Sequence, residues 1–211
     1  MIHRFFATEL AQGPLPGLKA PEAKRLREKV LREAYAFREI DDAGRRWSAR
    51  NYVQGYTSYG SLTDLPERSP TFAKLRQSLD RVVADYAQGL QWDLQGGKLK
   101  MVSCWINIMG EGAHHSGHIH PLAVISGTYY VQVPPKASAL KIEDPRLGFL
   151  MARPPVRAQG KKDVARRLFV DLTPREGDVI LFESWLRHEV PANRDIQDRV
   201  SISFNYDWVS S

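Results

Sequence analysis

Two periods of hydrophobic residue divide the chain. From Pro21 to Ile40, Leu26, Val30, Leu31 and Tyr35 recur along one helical face, and "APEAK" sets a proline in the first turn, so the pattern predicts an amphipathic helix. Ser69 to Leu90 repeats the design. Ser then Pro opens it, and Phe72, Leu75, Leu79, Val82, Val83 and Tyr86 share a face. The intervening "WSARNYVQGYTSYGSLTDLPERSP" is rich in Gly, Ser and Tyr, shows no period and reads as a connection. From Lys98 onward the period falls to two: "KLKMVSCWINIMG", "ISGTYYVQV", "ALKIEDP", "RLFVDL", "DVILFES" and "RVSISFNYDW" read as short strands cut by Pro and Gly turns. Strands gathered at the end of a chain, with helices only before them, predict a mainly β fold. The expected form is a jelly-roll or double-stranded β-helix whose outside is buttressed by the two helices. The expectation is one domain over residues 1–211, with 1–95 as helical support and connecting segments and 96–211 as the barrel core.

Composition changes this picture little, and mostly by exclusion. The single cysteine, Cys104, rules out an intrachain disulfide, fits a reducing compartment and reads as a small buried residue on a strand. "MIHRFFATELAQGPLPG" lacks the apolar run of a secretion signal, and no stretch approaches a membrane span, so the expectation is a cytoplasmic protein with no membrane partner. The net charge of +6 raises the question of nucleic acid. It is answered against: the basic residues of "KRLREKVLREAYAFREIDDAGRR" alternate with Glu as on a solvated helix face, and "RPPVRAQGKKDVARR" is a Pro, Gly and Lys-rich loop. That loop points instead to an acidic small-molecule substrate.

The candidate chemistry sits in "GHIHPLAVISGTYYVQV". Residues i and i+2 of an extended strand face the same side, so His118 and His120 can converge on one ion. A third imidazole, His188, follows the apolar run "VILF", and a closed antiparallel barrel would bring its strand edge against that of His118. Three imidazoles on one side of a metal leave positions open for substrate and molecular oxygen. In "RVSISFNYDW", period two sends Arg199, Ser201, Ser203 and Asn205 to one face and Val200, Ile202, Phe204 and Tyr206 to the other. A guanidinium inside a barrel needs an anion, and a ligand carboxylate held by Arg199 and Ser201 supplies it. Asn107 shares a face with Trp105 on the strand leading into the site and Tyr130 is in phase with Ser126 and Thr128, and both are candidate hydrogen-bonding partners of the same ligand. Trp105 reads as core, His114 and His115 as exposed loop histidines, and Glu143 and Asp144 as turn residues.

In order, "GYTSYGSL", "WINIMGEGAHHSGHIHP", "ISGTYYVQVP", "IEDPR" and "ILFESWLRHEVPANRD" followed by "RVSISFN" resemble a family of bacterial iron(II) and 2-oxoglutarate dependent oxygenases of undefined substrate. The resemblance covers most of the chain from Gly55 onward. It implies iron(II) at the open end of a double-stranded β-helix and 2-oxoglutarate as co-substrate. It also implies His118 and His188 as the family's two histidine ligands, Arg199 with Ser201 on the distal carboxylate, and hydroxylation of a small molecule. One position departs from the wider superfamily pattern: His120 stands where Asp or Glu is general. Neutral imidazole leaves the metal more electron-poor, and three-histidine iron sites occur in dioxygenases that need no co-substrate. Two other readings therefore stay open. One is a cupin-like metal-dependent dioxygenase without 2-oxoglutarate, suggested by Gly112 followed by His118 and His120; the other is a metal-binding module with no turnover.

Overall fold

The structure is a computed structural model and describes residues 1–3, 5–146, 151 and 154–210. The two predicted helices are α1 (Ala20–Ile40) and, after two shorter ones, α4 (Pro70–Gly89). The Ser69 hydroxyl caps α4 by accepting from the Thr71 amide at 3.0 Å, and the Glu33 carboxylate accepts from the Ser69 and Thr71 hydroxyls, tying α4 to α1. The stretch read as a patternless connection instead overlaps a helix α2 (Asp42–Asn51) and contains β2 (Gly55–Thr57) and α3 (Leu65–Arg68). The reason α2 escapes a periodicity reading is physical: its buried residues are Gly44 and Ser48, so it has no apolar stripe to show. Its start is fixed by a cap, the Asp41 carboxylate accepting from the Gly44 amide at 2.9 Å.

The remaining strands are β1 (Leu10–Pro14), β3 (Lys98–Met109), β4 (His115–His118), β5 (Ile125–Gln132), β6 (Leu140–Glu143), β7 (Phe169–Leu172), β8 (Asp178–Glu183), β9 (His188–Val190) and β10 (Arg199–Val209). They form a sheet ordered β1-β8-β5-β10-β3-β2 and a smaller one ordered β4-β9-β6-β7. All ladder pairs are antiparallel. This is the expected mainly β architecture, a double-stranded β-helix with helices before it. No helix among the described residues is long and apolar enough to cross a membrane.

Strand alternation divides the interior into two layers. Val200, Ile202, Phe204 and Tyr206 of β10, with Cys104, Ile106 and Ile108 of β3, join Phe72, Leu75, Leu79 and Val83 of α4 in one apolar cluster between sheet and helices. Each fully buried Leu or Phe there contributes about 1.5–3 kcal/mol. The Cys104 thiol is buried in this layer, which pushes its pKa up, in keeping with a structural role. The second cluster fills the barrel and includes Tyr52, Met109, Tyr130, Leu140, Ile142, Ile180 and Phe182. Gly127 is required where β5 passes between the layers, since a Cβ there would stand 2.5 Å from Leu181 and 2.6 Å from the Phe204 ring.

Candidate metal centre

His118 ends β4 and His188 begins β9, and the two are cross-strand partners, with ring centroids 4.4 Å apart. His120 lies just beyond β4 rather than on a strand with His118. Its backbone amide donates to the Ser184 carbonyl at 3.0 Å, and this bond between loops returns its ring to the same point. One ring nitrogen from each of the three lies within 4.8 Å of the others. The Nδ1 of His118 is 2.7 Å from the Ser116 carbonyl and the Nδ1 of His188 is 2.8 Å from the Leu186 carbonyl. Each Nδ1 therefore carries its proton, and each Nε2 is left with a lone pair. His120 Nε2 lies 3.2 Å from His188 Nε2. Burial, reinforced by His118, pulls His188 down to about 3 and His120 down to about 4. Converging lone pairs on neutral imidazoles, with protonation disfavoured, fit a metal cation.

The trio opens into a cavity of about 390 Å³ whose wall includes Asn107, Tyr130, Arg199, Ser201 and Ser203. Arg199 is 2% exposed. Its Nη1 lies 3.3 Å from Met109 Sδ and 3.5 Å from Ser201 Oγ, its guanidinium stacks over the Tyr130 ring at 5.0 Å, and its Nε has no partner. The nearest acid in sequence, Asp198, accepts instead from the Tyr35 hydroxyl at 2.9 Å. A bulge in the β5–β10 ladder brings Tyr130 opposite Ser201, beside Arg199. The Tyr130 hydroxyl is likewise buried without a partner. Asn107 accepts from the Thr57 hydroxyl at 2.8 Å and donates to Ser203 at 3.0 Å. After those bonds it keeps one amide hydrogen and one lone pair for a ligand.

The sequence-predicted residues thus meet, and two readings need correction. Trp105 is buried but forms cavity wall, its ring 5.8 Å from His120 and edge-on to the half-exposed Tyr59 at 5.0 Å. His115 is a β4 residue, not an exposed loop histidine. Its ring meets Tyr52 at 4.5 Å, burial and then His118 pull it down to about 3, and its Nε2 has no partner. His114 is exposed at the cavity edge. Glu143 pairs with Arg187 at 2.9 Å, and Asp144 accepts from the Arg146 amide at 3.0 Å, so neither joins the imidazoles. Sequence reasoning missed Trp47, Tyr52, Thr57 and Tyr59, which line the cavity from the segment taken as a connection. Four residues along β10, at about 3.4 Å each, place the Arg199–Met109 pair roughly 13 Å from the Ser203–Trp105 pair. The cavity accordingly has a cationic end and an aromatic end. Among the described residues no acidic residue lines it, and neither do those of the basic loop, whose Arg153 lies outside the described residues.

Residues 103–205 match the family model described as "Putative 2OG-Fe(II) oxygenase". No curated protein matches the sequence. Among solved structures, the chain is similar to the non-heme alpha ketoglutarate dependent epimerase SnoN from nogalamycin biosynthesis, at 13% identity and a TM-score of 0.62, over 95% of this chain and 76% of that one. It is also similar to HygX from Streptomyces hygroscopicus, solved with nickel and 2-oxoglutarate bound, at 15% identity and a TM-score of 0.59, over 95% and 83%. A Pseudomonas putida prolyl-4-hydroxylase aligns at 15% identity and a TM-score of 0.54, over 95% and 92%. At these identities the structural likeness is one of fold.

Proposed function

We propose, from the premise that the chain belongs to the 2OG-Fe(II) oxygenases and is an enzyme of that class, that it hydroxylates a C–H bond of a small molecule. In this reading His118, His120 and His188 hold iron(II), while Arg199 with Ser201 grips the distal carboxylate of 2-oxoglutarate. The observation that carries it is Arg199: buried, without a carboxylate partner among the described residues, and in one cavity with three converging imidazoles. An unpaired guanidinium is costly in such a place, and a dianionic ligand removes the cost. A cupin-like dioxygenase without a keto acid, or a passive metal binder, leaves that cation unexplained.

Iron(II) with 2-oxoglutarate supplies the oxidising chemistry, in which one oxygen atom of O2 enters the substrate and the other leaves in succinate, with release of carbon dioxide. The chain's own part is orientation and exclusion. The backbone carbonyls of Ser116 and Leu186 fix the ring tautomers that present Nε2. The Arg199 guanidinium and the Tyr130 hydroxyl are donors for a carboxylate, and Asn107, anchored by Thr57 and Ser203, forms the wall beside them. The aromatic end, where Trp105 adjoins His120 and Tyr59 packs edge-on to Trp105, favours a substrate with a flat apolar part at the mouth. The decisive experiment is anaerobic titration of the iron(II) protein with 2-oxoglutarate. A visible charge-transfer band should grow to saturation, and should be absent in His188→Ala; a protein that binds iron and gives no band would falsify the reading.

A further inference from the structure

Among the described residues, four buried polar side-chain atoms on the cavity wall have no partner: Arg199 Nε, Tyr130 Oη, His115 Nε2 and Tyr52 Oη. Tyr52 is the one that neither the family match nor strand alternation accounts for. It follows α2, lies outside residues 103–205 and is 6% exposed. Its ring packs edge-on to His115 at 4.5 Å and shares an apolar cluster with Tyr130 and with Met109, whose sulfur touches Arg199. The Arg199 charge is felt at Tyr52, where it opposes the upward push of burial on the phenol. A phenylalanine would fill the same space without an unmet hydroxyl. Three other buried tyrosines are paired: Tyr56 donates to Asp41 at 2.8 Å, Tyr86 to the Glu9 carbonyl at 2.8 Å and Tyr206 to Asp80 at 2.6 Å. An unmet hydroxyl on the same cavity wall as an unmet guanidinium and a second unmet phenol is a donor set arranged for an acceptor-rich ligand.

We infer that Tyr52 is a co-substrate residue: its hydroxyl donates to the carboxylate that Arg199 grips, so the segment before the barrel completes the pocket and sharpens its preference for a keto acid with a second carboxylate. The inference rests on the oxygenase reading and deepens it. Two residues of different origin share the duty. Arg199 comes from the cavity-facing side of β10, and Tyr52 from the end of a helix that packs on β2.

The test uses the full chain loaded with zinc(II) in place of iron, so that no turnover intervenes. Wild type and Tyr52→Phe are titrated calorimetrically with 2-oxoglutarate and with pyruvate, a 2-oxo acid lacking the distal carboxylate, and melted without keto acid. The variant should bind zinc as wild type does and melt at the same temperature or higher. It should bind 2-oxoglutarate about ten-fold to a hundred-fold more weakly, the loss of one hydrogen bond to a charged group, and bind pyruvate unchanged. Equal 2-oxoglutarate affinity in the two proteins overturns the inference while sparing the oxygenase reading. An equal loss for pyruvate, a lowered melting temperature or lost zinc overturns it too, by showing a structural role. A wild-type protein that binds zinc but takes up no 2-oxoglutarate sinks both.

Discussion

The layer between sheet and helices and the interior of the barrel are built from the same residue types and treat them differently. In the outer layer Tyr56, Tyr86 and Tyr206 each place an aromatic ring in the core and their hydroxyl on an acceptor. Inside the barrel Tyr52 and Tyr130 bury their rings just as fully and leave their hydroxyls without one. The strand β10 carries both regimes on its two faces: Val200, Ile202 and Phe204 pack toward the helices, while Arg199, Ser201 and Ser203 line the cavity. One side of the sheet is optimised for folding. The other holds donors with no partner in the protein, turned toward the cavity.

Four substitutions test that division, in descending size of effect on stability. Phe72→Ala, in the outer layer, should cost about 3–5 kcal/mol in urea unfolding and leave the keto acid affinity of the folded protein untouched; a cost under about 1 kcal/mol would mean that the helices are not integral to the fold. Arg199→Met keeps volume and removes the buried cation. It should raise the unfolding free energy by about 1–3 kcal/mol while weakening 2-oxoglutarate at least about a hundred-fold. Measured destabilisation of this variant would assign the guanidinium to the fold. Tyr206→Phe deletes the bond to Asp80 and should cost about 1 kcal/mol. Tyr130→Phe deletes no bond within the protein and should change stability by about 0.5 kcal/mol or less, with a loss of 2-oxoglutarate affinity as its signature. Equal destabilisation by the two tyrosine changes would erase the distinction between the layers.

What could be read from the chain follows the same boundary. Long strands with one apolar face announce themselves, and β3, β5, β8 and β10 lie where alternation puts them. Strand β1 does not, because "LAQGP" is a short edge segment with no repeated apolar residue, held by register with β8. Strand β4 is "HSGH", whose residues serve the site rather than the core. That His118, His188 and Arg199 border one cavity was legible because paired imidazoles and a cation on the interior faces of such strands have few uses in packing. His120 was legible for an incomplete reason: it converges through a loop bond to Ser184, not through strand alternation. Tyr52 and Trp105 were not, since a lone aromatic near a helix end or on a strand reads as packing until the fold shows what it faces. The Gly44 and Ser48 face of α2, which buries no apolar side chain, hid the element that delivers Tyr52.

His118 and His188 hang from the smaller sheet, whereas Arg199 projects from the larger one. The span between ring nitrogens and guanidinium therefore depends on how closely the two walls pack, and Ile180 and Phe182 from one wall meet Leu140 and Ile142 from the other in a single cluster between them. A trimmed or enlarged side chain there would alter how long a molecule can bridge the gap while leaving its chemical type alone, making ordinary aliphatic packing the gauge of ligand length.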